Sequence, residues 1–381
     1  MPARDGDAPL RILIYNDRFA PGIGGVETLV ALLARYLHDR GERVVIVTGT
    51  PGGAASPLRV VRRPSRRELR RLVLESDLVH LHSFHARLLG AAKLMRRRLV
   101  YTYHDLTPIC PNGTKLEPGG PCLHRAGVLV CHRCLRAGGT PRRARKLLRP
   151  VVKALLSVLI DANVCESPFA LRRYPLWRKR LIPCGIDTTL FCPSPAPPAA
   201  GRPRVVFVGR LVREKGCDVL LRALRRCEER GVAPDLDVVG TGPELTQLSD
   251  LARGLGLGPR VRFHGDRVGQ ALVEVVRGAD VAVVPSIWDE PFGLVAVEAF
   301  SCGVPVIAAD VGGLGELVRG VGLTFPRGDA ARLAAELERL LSDPALRRSM
   351  ADHGRREAVE KYDHHTMGAA YHRLYRELLE S

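Results

Sequence analysis

Two carboxylates eight positions apart, Glu290 and Glu298, carry the strongest chemical signal in this 381-residue sequence. Pro291 between them suits the first turn of a helix. The amides of Phe292, Gly293 and Leu294 would then lie at a helix start, where backbone N–H groups lack partners and attract an anion. Eight positions make about two helical turns, so the two carboxylates fall on roughly one side. Glu298 is flanked by Val297, Ala299 and Phe300, a setting in which an unpaired carboxylate is costly. A diol such as a ribose would satisfy it, and so would a loop that it caps. Upstream, Gly209-Arg210-Leu211 leads to Lys215-Gly216. Glycine at a strand end allows close backbone approach to a ligand. Arg210 offers a phosphate two parallel hydrogen bonds, and Lys215 adds a point charge.

The first half holds a second set. Gly24 and Gly25 precede a helical pattern in Pro21-Gly22-Ile23-Gly24-Gly25-Val26-Glu27 and leave backbone amides open to an anion. His104-Asp105 ends the apolar run from Leu99, which places His104 at a strand end. His80 and His82 share that facing on an earlier strand, and His82 with Ser83 would line an acceptor. Cys110, Cys122, Cys131 and Cys134 follow in a Pro- and Gly-containing loop, with His124 and His132 as spare ligands. The final C-x2-C pair is typical of zinc sites. Structural zinc, free thiols and an iron–sulfur cluster all fit this pattern.

These residues need elements to hold them. Short β-rich runs alternate with helical patterns: 11–15, 44–48, 78–83, 99–104, 162–166 and 180–183, then 204–209, 236–240, 261–265, 281–285, 305–310 and 322–325. Such alternation predicts an α/β chain with parallel sheets and right-handed crossovers. The Pro/Ala segment 193–201 reads as a semi-rigid hinge. The expected organisation is a domain over 1–192 with a Cys-rich loop at 105–140, a second domain over 193–361, and a helix at 362–381 returning to the first. Two such domains, facing across a cleft, would bind ligand at the carboxyl ends of their strands.

With these motifs in order, the sequence resembles family 4 of the retaining glycosyltransferases, which have the GT-B fold of two Rossmann-like parallel-sheet domains. Glu290 and Glu298 are similar to that family's E-x7-E motif. Gly209-Arg210-Leu211 with Lys215-Gly216 resembles its phosphate loop. Gly240-Thr241-Gly242-Pro243, Gly312-Gly313 with Glu316, and Gly24-Gly25 with Glu27 resemble three further turns. The resemblance implies a UDP- or GDP-sugar donor. Arg210 and Lys215 would hold its pyrophosphate in place of a catalytic metal, Glu298 its ribose, Glu290 the transferred sugar, and Val261–Gly265 would border the base. His104 would contact the sugar near the reacting carbon. In the first half Asp105 is the nearest carboxylate for a nucleophile and Glu27 the next; neither convinces. The family is thought to use a front-face path, in which the departing phosphate oxygen takes the acceptor proton and the protein mainly stabilises charge. The cysteine pattern resembles a subfamily trait. Cys184, before Gly185-Ile186-Asp187, stands where the family usually has Asn. A GT-B epimerase, a phosphorylase and an inactive glycan- or partner-binding module are the alternatives.

Composition limits the acceptor and the setting. The chain is 46% apolar and 26% charged, the balance of a globular protein with a real core. No apolar run reaches the roughly 18 residues of a membrane span, and no secretory segment precedes the first strand, which points to a cytoplasmic protein. The net charge is +18, and the surplus lies in residues 1–200 while the remainder is near balance. Arg66, Arg67, Arg70 and Arg71, with the basic segment 141–150 leading into apolar 151–160, suit an anionic lipid surface at the inner face of the plasma membrane. A sugar or lipid-linked acceptor fits this charge. Nucleic acid does not, because no basic motif is interleaved with aromatics.

Overall fold

Apolar runs become strands of two parallel sheets. The computed structural model describes residues 8–20, 24–53, 57–117, 120–122, 128–137, 146–194 and 201–381. Strands β1 (Arg11–Tyr15), β2 (Arg43–Thr48), β3 (Arg59–Arg62), β4 (Leu78–Leu81) and β5 (Arg98–Tyr103) precede a two-stranded antiparallel ladder of β6 (Leu116–Glu117) and β7 (Gly120–Pro121). With β8 (Ala162–Cys165) and β9 (Lys179–Leu181), the first sheet has the order β3-β2-β1-β4-β5-β8-β9. Strands β10 (Arg204–Val208), β11 (Asp235–Val239), β12 (Val261–Phe263), β13 (Val281–Val284), β14 (Val306–Ala309) and β15 (Leu323–Phe325) make the second, ordered β12-β11-β10-β13-β14-β15. In each sheet the order reverses beside the first strand, the point at which open α/β sheets hold ligands.

Burial explains the parallel arrangement. Ile12, Leu13 and Ile14 are consecutive and at most 1% exposed. A strand can bury successive residues only when helices cover both faces of its sheet. The covering helices show the matching stripe: Gly25–Asp39 buries Leu29, Val30, Leu33, Ala34 and Leu37, and Cys217–Glu229 buries Leu220, Leu221 and Leu224. Each such leucine contributes about 2 kcal/mol of transfer free energy. The strand β3 departs from the sequence reading. Its four residues, Arg-Val-Val-Arg, sit at the sheet edge with no fully buried side chain, so no apolar run announces it.

Contacts divide the chain into two units, Met1–Gly113 with His124–Gly185 and His364–Ser381, and Thr114–Leu123 with Ile186–Asp363. The terminal helical region breaks at Asp363, into Pro344–Tyr362 and His364–Glu380. Within the first unit, His364–Glu380 is fastened by polar and steric contacts. The Tyr371 hydroxyl lies 2.9 Å from Thr102 Oγ1 and that of Tyr375 lies 2.7 Å from His80 Nδ1. His372 and Arg376 both reach the Glu42 carboxylate, at 2.7 and 3.0 Å. At Gly368 any Cβ would sit 2.4 Å from the Tyr36 ring. Within the second unit, Arg355 on Pro344–Tyr362 donates to the carbonyls of Thr188, Phe191 and Ser301 at 2.8–3.1 Å.

Candidate functional site

In the second unit the loops that leave β10, β11, β13 and β14 are tied to one another at the carboxyl edge of the sheet. Leu211 donates its amide to the Thr241 carbonyl at 2.8 Å, Ile287 to Glu214 at 2.9 Å and Gly313 to Glu290 at 2.7 Å. Two glycines make this crowding feasible. Gly216 has φ +65° and a Cβ there would lie 2.1 Å from the Pro285 carbonyl oxygen; Gly312 has φ +52° and its Cβ would lie 2.4 Å from that of Glu290. These glycines serve backbone-to-backbone approach, and they fix the loops that carry Lys215 and Glu290. Gly209 has more room, with 3.6 Å from a built Cβ to the nearest atom, on Phe207.

The Glu290 carboxylate is 4% exposed and collects donors on Oε1. Lys215 pairs with it, Ser286 Oγ donates at 2.9 Å and Trp288 Nε1 at 3.3 Å. Burial pushes this carboxyl up, but the Lys215 charge and the three hydrogen bonds outweigh it and hold the group below the usual carboxylate range. The Lys215 ammonium also stands 5.6 Å from the Trp288 ring centre. Arg210 differs from the sequence picture of two cations in one crevice. Its side chain is 70% exposed and lies 3.5 Å from Glu214, so it is a surface cation while Lys215 is an internal one.

The helix expected at Pro291 begins at Leu294 and runs to Ser301, with Gly293 as its N-cap. Phe292 is turned inward, with its ring edge-on to Tyr362 at 5.6 Å, so of the three residues read as an anion platform it contributes its side chain to the core. Glu298 sits half-buried on this helix. Among the described residues its carboxylate has no hydrogen-bond or ion-pair partner, and burial pushes its pKa up to about 7. The Val261–Gly265 segment holds His264, whose Nε2 lies 2.7 Å from the buried carboxylate of Asp237.

In the first unit four polar side chains meet at strand ends. His104 Nδ1 lies 2.5 Å from Glu166 Oε1, and His104 Nε2 lies 2.9 Å from His82 Nδ1. The His82 and His104 rings are stacked, 5.2 Å apart at 11°, and Cys184 Sγ lies 2.9 Å from the same Glu166 oxygen. Both nitrogens of His104 are therefore engaged. His80 is a structural residue: fully buried, it is held by Thr102 and Tyr375, and burial lowers its pKa to about 3. Ser83 donates to Asn16 at 2.6 Å. Asp105 caps a turn, with Oδ1 accepting from the Thr107 amide at 2.9 Å and from its hydroxyl, and with Lys153 at 3.5 Å. These contacts all fall on one oxygen of a side chain that is 50% exposed. Gly24 is the extended N-cap residue of Gly25–Asp39, and Glu27 lies in that helix's first turn; Pro21, Gly22 and Ile23 fall outside the described residues.

Glu166 and Cys184 were not among the residues that sequence spacing brings together. Glu166 lies 62 positions from His104, and only the sheet order β5-β8-β9 makes them neighbours. The available signal was weak: Glu166 directly follows the buried strand Ala162–Cys165, while Cys184 lies beyond the polar edge strand Lys179–Leu181. Of the cysteine loop, Cys131 and Cys134 lie on the helix Val128–Ala137. All four loop cysteines are half-buried and in no disulfide, and among the described residues no three of them gather as metal ligands. His124 and the basic residues 141–145 fall outside the described residues. The helix Arg149–Ser157 turns Lys153 inward and leaves Val151 55% and Leu155 67% exposed. Arg66, Arg67, Arg70 and Arg71 are exposed on another helix.

The chain matches two family models, "Glycosyltransferase Family 4" over residues 23–190 and "Glycosyl transferases group 1" over residues 194–357. It is 32% identical over 358 residues to the D-inositol 3-phosphate glycosyltransferase of Acidothermus cellulolyticus, a match covering 85% of this chain and 79% of that one. It is 35% identical over 269 residues to the protein of that name from Salinispora tropica, covering 63% of this chain and 56% of the relative. The chain thus spans little more than half the length of several curated relatives that it matches. In fold it resembles Anabaena Alr3699/HepE, solved in complex with UDP and glucose, with a TM-score of 0.74 and 22% identity over 96% of this chain and 99% of that one.

Proposed function

Because this chain belongs to family 4 of the glycosyltransferases, with the two-sheet GT-B fold, we propose that it transfers a sugar from a nucleoside-diphosphate donor to a hydroxyl acceptor with retention at the anomeric carbon. The observation that carries this reading is Glu298. A half-buried carboxylate with no partner among the described residues, raised to about 7, is a group built to receive donors, and the two hydroxyls of a ribose supply them.

Charge and position support the remaining roles. Lys215, held internally by Glu290, neutralises the leaving diphosphate, and exposed Arg210 closes on it from the surface. The Gly293 and Leu294 amides, with Gly24 and Gly25, offer N–H groups to phosphate oxygens. Glu290 meets hydroxyls of the transferred sugar. His104 stands by that sugar and orients it. The leaving phosphate oxygen takes the acceptor proton on the front face, so the chain's own groups stabilise charge rather than exchange protons.

Relatives named for inositol 3-phosphate glycosyltransfer, and a neighbour in complex with UDP and glucose, support a nucleotide-sugar donor and an anionic acceptor, and the basic first half suits a sugar or lipid-linked acceptor that carries such charge. Among the described residues no helix is long and apolar enough to cross a membrane. The outward apolar face of Arg149–Ser157, together with the arginine-rich helix Arg66–Glu75, supports peripheral docking on anionic lipid. Co-sedimentation with anionic but not neutral vesicles checks this. Zinc in the cysteine loop would act as a structural staple, and metal analysis of the purified protein decides it.

The deciding experiment is a hydrolysis screen of UDP- and GDP-sugars on the wild type and on Glu298→Ala. Turnover of one donor that weakens in the variant is expected. No turnover with any donor would favour a binding module instead.

A further inference from the structure

Polar side chains at the carboxyl ends of four strands form one hydrogen-bonded row in the first unit. His82 follows β4, His104 follows β5, Glu166 follows β8 and Cys184 follows β9, and these strands are adjacent in that order. The contacts run from Cys184 Sγ to Glu166 Oε1 at 2.9 Å, from that oxygen to His104 Nδ1 at 2.5 Å, and from His104 Nε2 to His82 Nδ1 at 2.9 Å. The row is buried, with Cys184 3% and both Glu166 and His82 5% exposed.

Counting protons orders the row. An ionised carboxylate only accepts, so His104 Nδ1 and the Cys184 thiol each donate to Glu166. Burial, then the Glu166 charge, hold that thiol protonated, well above its usual range. A neutral imidazole has one N–H, so His104 Nε2 accepts from His82 Nδ1. The far end, His82 Nε2, then carries a lone pair. That atom is buried and has no partner among the described residues. A doubly protonated His104 would force an N–H into this dead end instead, and a buried orphan donor is rarer than an unsatisfied acceptor. Burial, with the neighbouring His80 and His104, also holds His82 neutral. Every hydrogen bond in the row thus points toward a single negative charge.

We propose that Glu166 is a positioning residue for His104, locking the imidazole in its Nδ1–H form and placing one negative charge behind it, with the Cys184 thiol holding the carboxylate in register. This rests on the reading of His104 as the residue beside the transferred sugar. As the phosphate departs, positive charge develops on the sugar, and a fixed carboxylate in a water-poor setting stabilises it without reorganising. Asp105 is less suited to this, because its side chain is 50% exposed and is paired with Lys153 at 3.5 Å. The Cys184 position also becomes intelligible. A thiol or an Asn amide can each donate to Glu166, so the departure from Asn keeps the contact and changes its strength.

The test combines imidazole 15N NMR with kinetics on the intact protein. In 15N-His-labelled wild type, His104, assigned by loss of its signals in His104→Asn, is expected as the Nδ1–H tautomer. Glu166→Ala should move it toward Nε2–H and lower kcat roughly 100-fold with KM within about threefold, the scale of a single positioned electrostatic or acid–base group. Glu166→Gln keeps an acceptor and loses the charge. It should retain the tautomer yet lose about 10-fold in kcat, and it covers the case in which the alanine variant does not fold. Cys184→Ala, which donates nothing to Glu166, should lower kcat about 10-fold, and Cys184→Asn should recover most of that loss, since it donates again. An Nε2–H tautomer in the wild type, or Glu166 variants with unchanged tautomer and kcat, would overturn the proposal. The NMR needs no donor, so a wild type with no turnover would overturn the proposed function, while the tautomer still decides whether Glu166 positions His104.

Discussion

The carboxyl edges of the two sheets solve opposite problems. In the first unit the strand-end side chains are joined in one hydrogen-bonded row, and Glu166 within it takes hydrogen bonds from two partners. In the second unit the loops are pinned by backbone contacts through Gly216 and Gly312, Glu290 Oε1 is held by Lys215, Ser286 and Trp288, and Glu298 is left unpartnered among the described residues. One edge is organised before any ligand arrives. The other holds a carboxylate with no partner among the described residues. A preorganised edge suits charge stabilisation during the reaction, and an unsatisfied one suits recognition of a diol.

That contrast can be broken by substitution, starting with the largest effect. Lys215→Ala should lower turnover roughly 1,000-fold, since it removes the internal cation opposite the leaving group and strands the buried Glu290 carboxylate. Circular dichroism and steady-state rates together separate lost charge from lost fold. His104→Ala is expected to lose about 100-fold in kcat, and a variant with full transfer activity would remove His104 from the mechanism. Glu298→Ala should raise donor KM by roughly 10- to 100-fold with kcat little changed, the range for hydrogen bonds to a charged group. Isothermal titration with the nucleoside diphosphate alone reads the same loss.

The smallest effect carries the sharpest sign. Glu298 is raised to about 7 in the folded chain, above its unfolded value near 4.3. The stability tied to its protonated form is fully present below the unfolded value and is lost as pH rises toward 7. Donor-free Glu298→Gln should therefore be more stable than wild type by about 1–2 kcal/mol at pH 8, with the gain vanishing near pH 4.5. Glu166→Ala should do the reverse, costing about 1–3 kcal/mol by orphaning two donors. Denaturant titrations at the two pH values measure both, and equal signs would show that the two edges are not different in kind.

Much of this architecture is legible in the sequence. Apolar runs such as Arg204–Val208 and Val281–Val284 announce buried parallel strands, and Lys215, Glu290 and Glu298 stand within one stretch of motifs. Two things stay hidden. The edge strand β3 buries too little to leave a pattern. The Glu166–His104 contact arises because β8 pairs with β5 across a long excursion of the chain, so linear spacing offers no hint of it. Glycines conceal a third. Present in the motifs without a stated job, Gly216 and Gly312 prove to be openings for a neighbouring loop.

The helix His364–Glu380 has a consequence for biosynthesis. It carries Tyr371 and Tyr375, which close on Thr102 and His80, yet it is separated from the rest of its unit by the whole of Ile186–Asp363. At ribosomal rates of 5–20 residues per second, the nascent first unit waits roughly 10–40 s for its last helix. Until then the polar groups of Thr102 and His80 lack their cover, and the unit begun first is the one finished last.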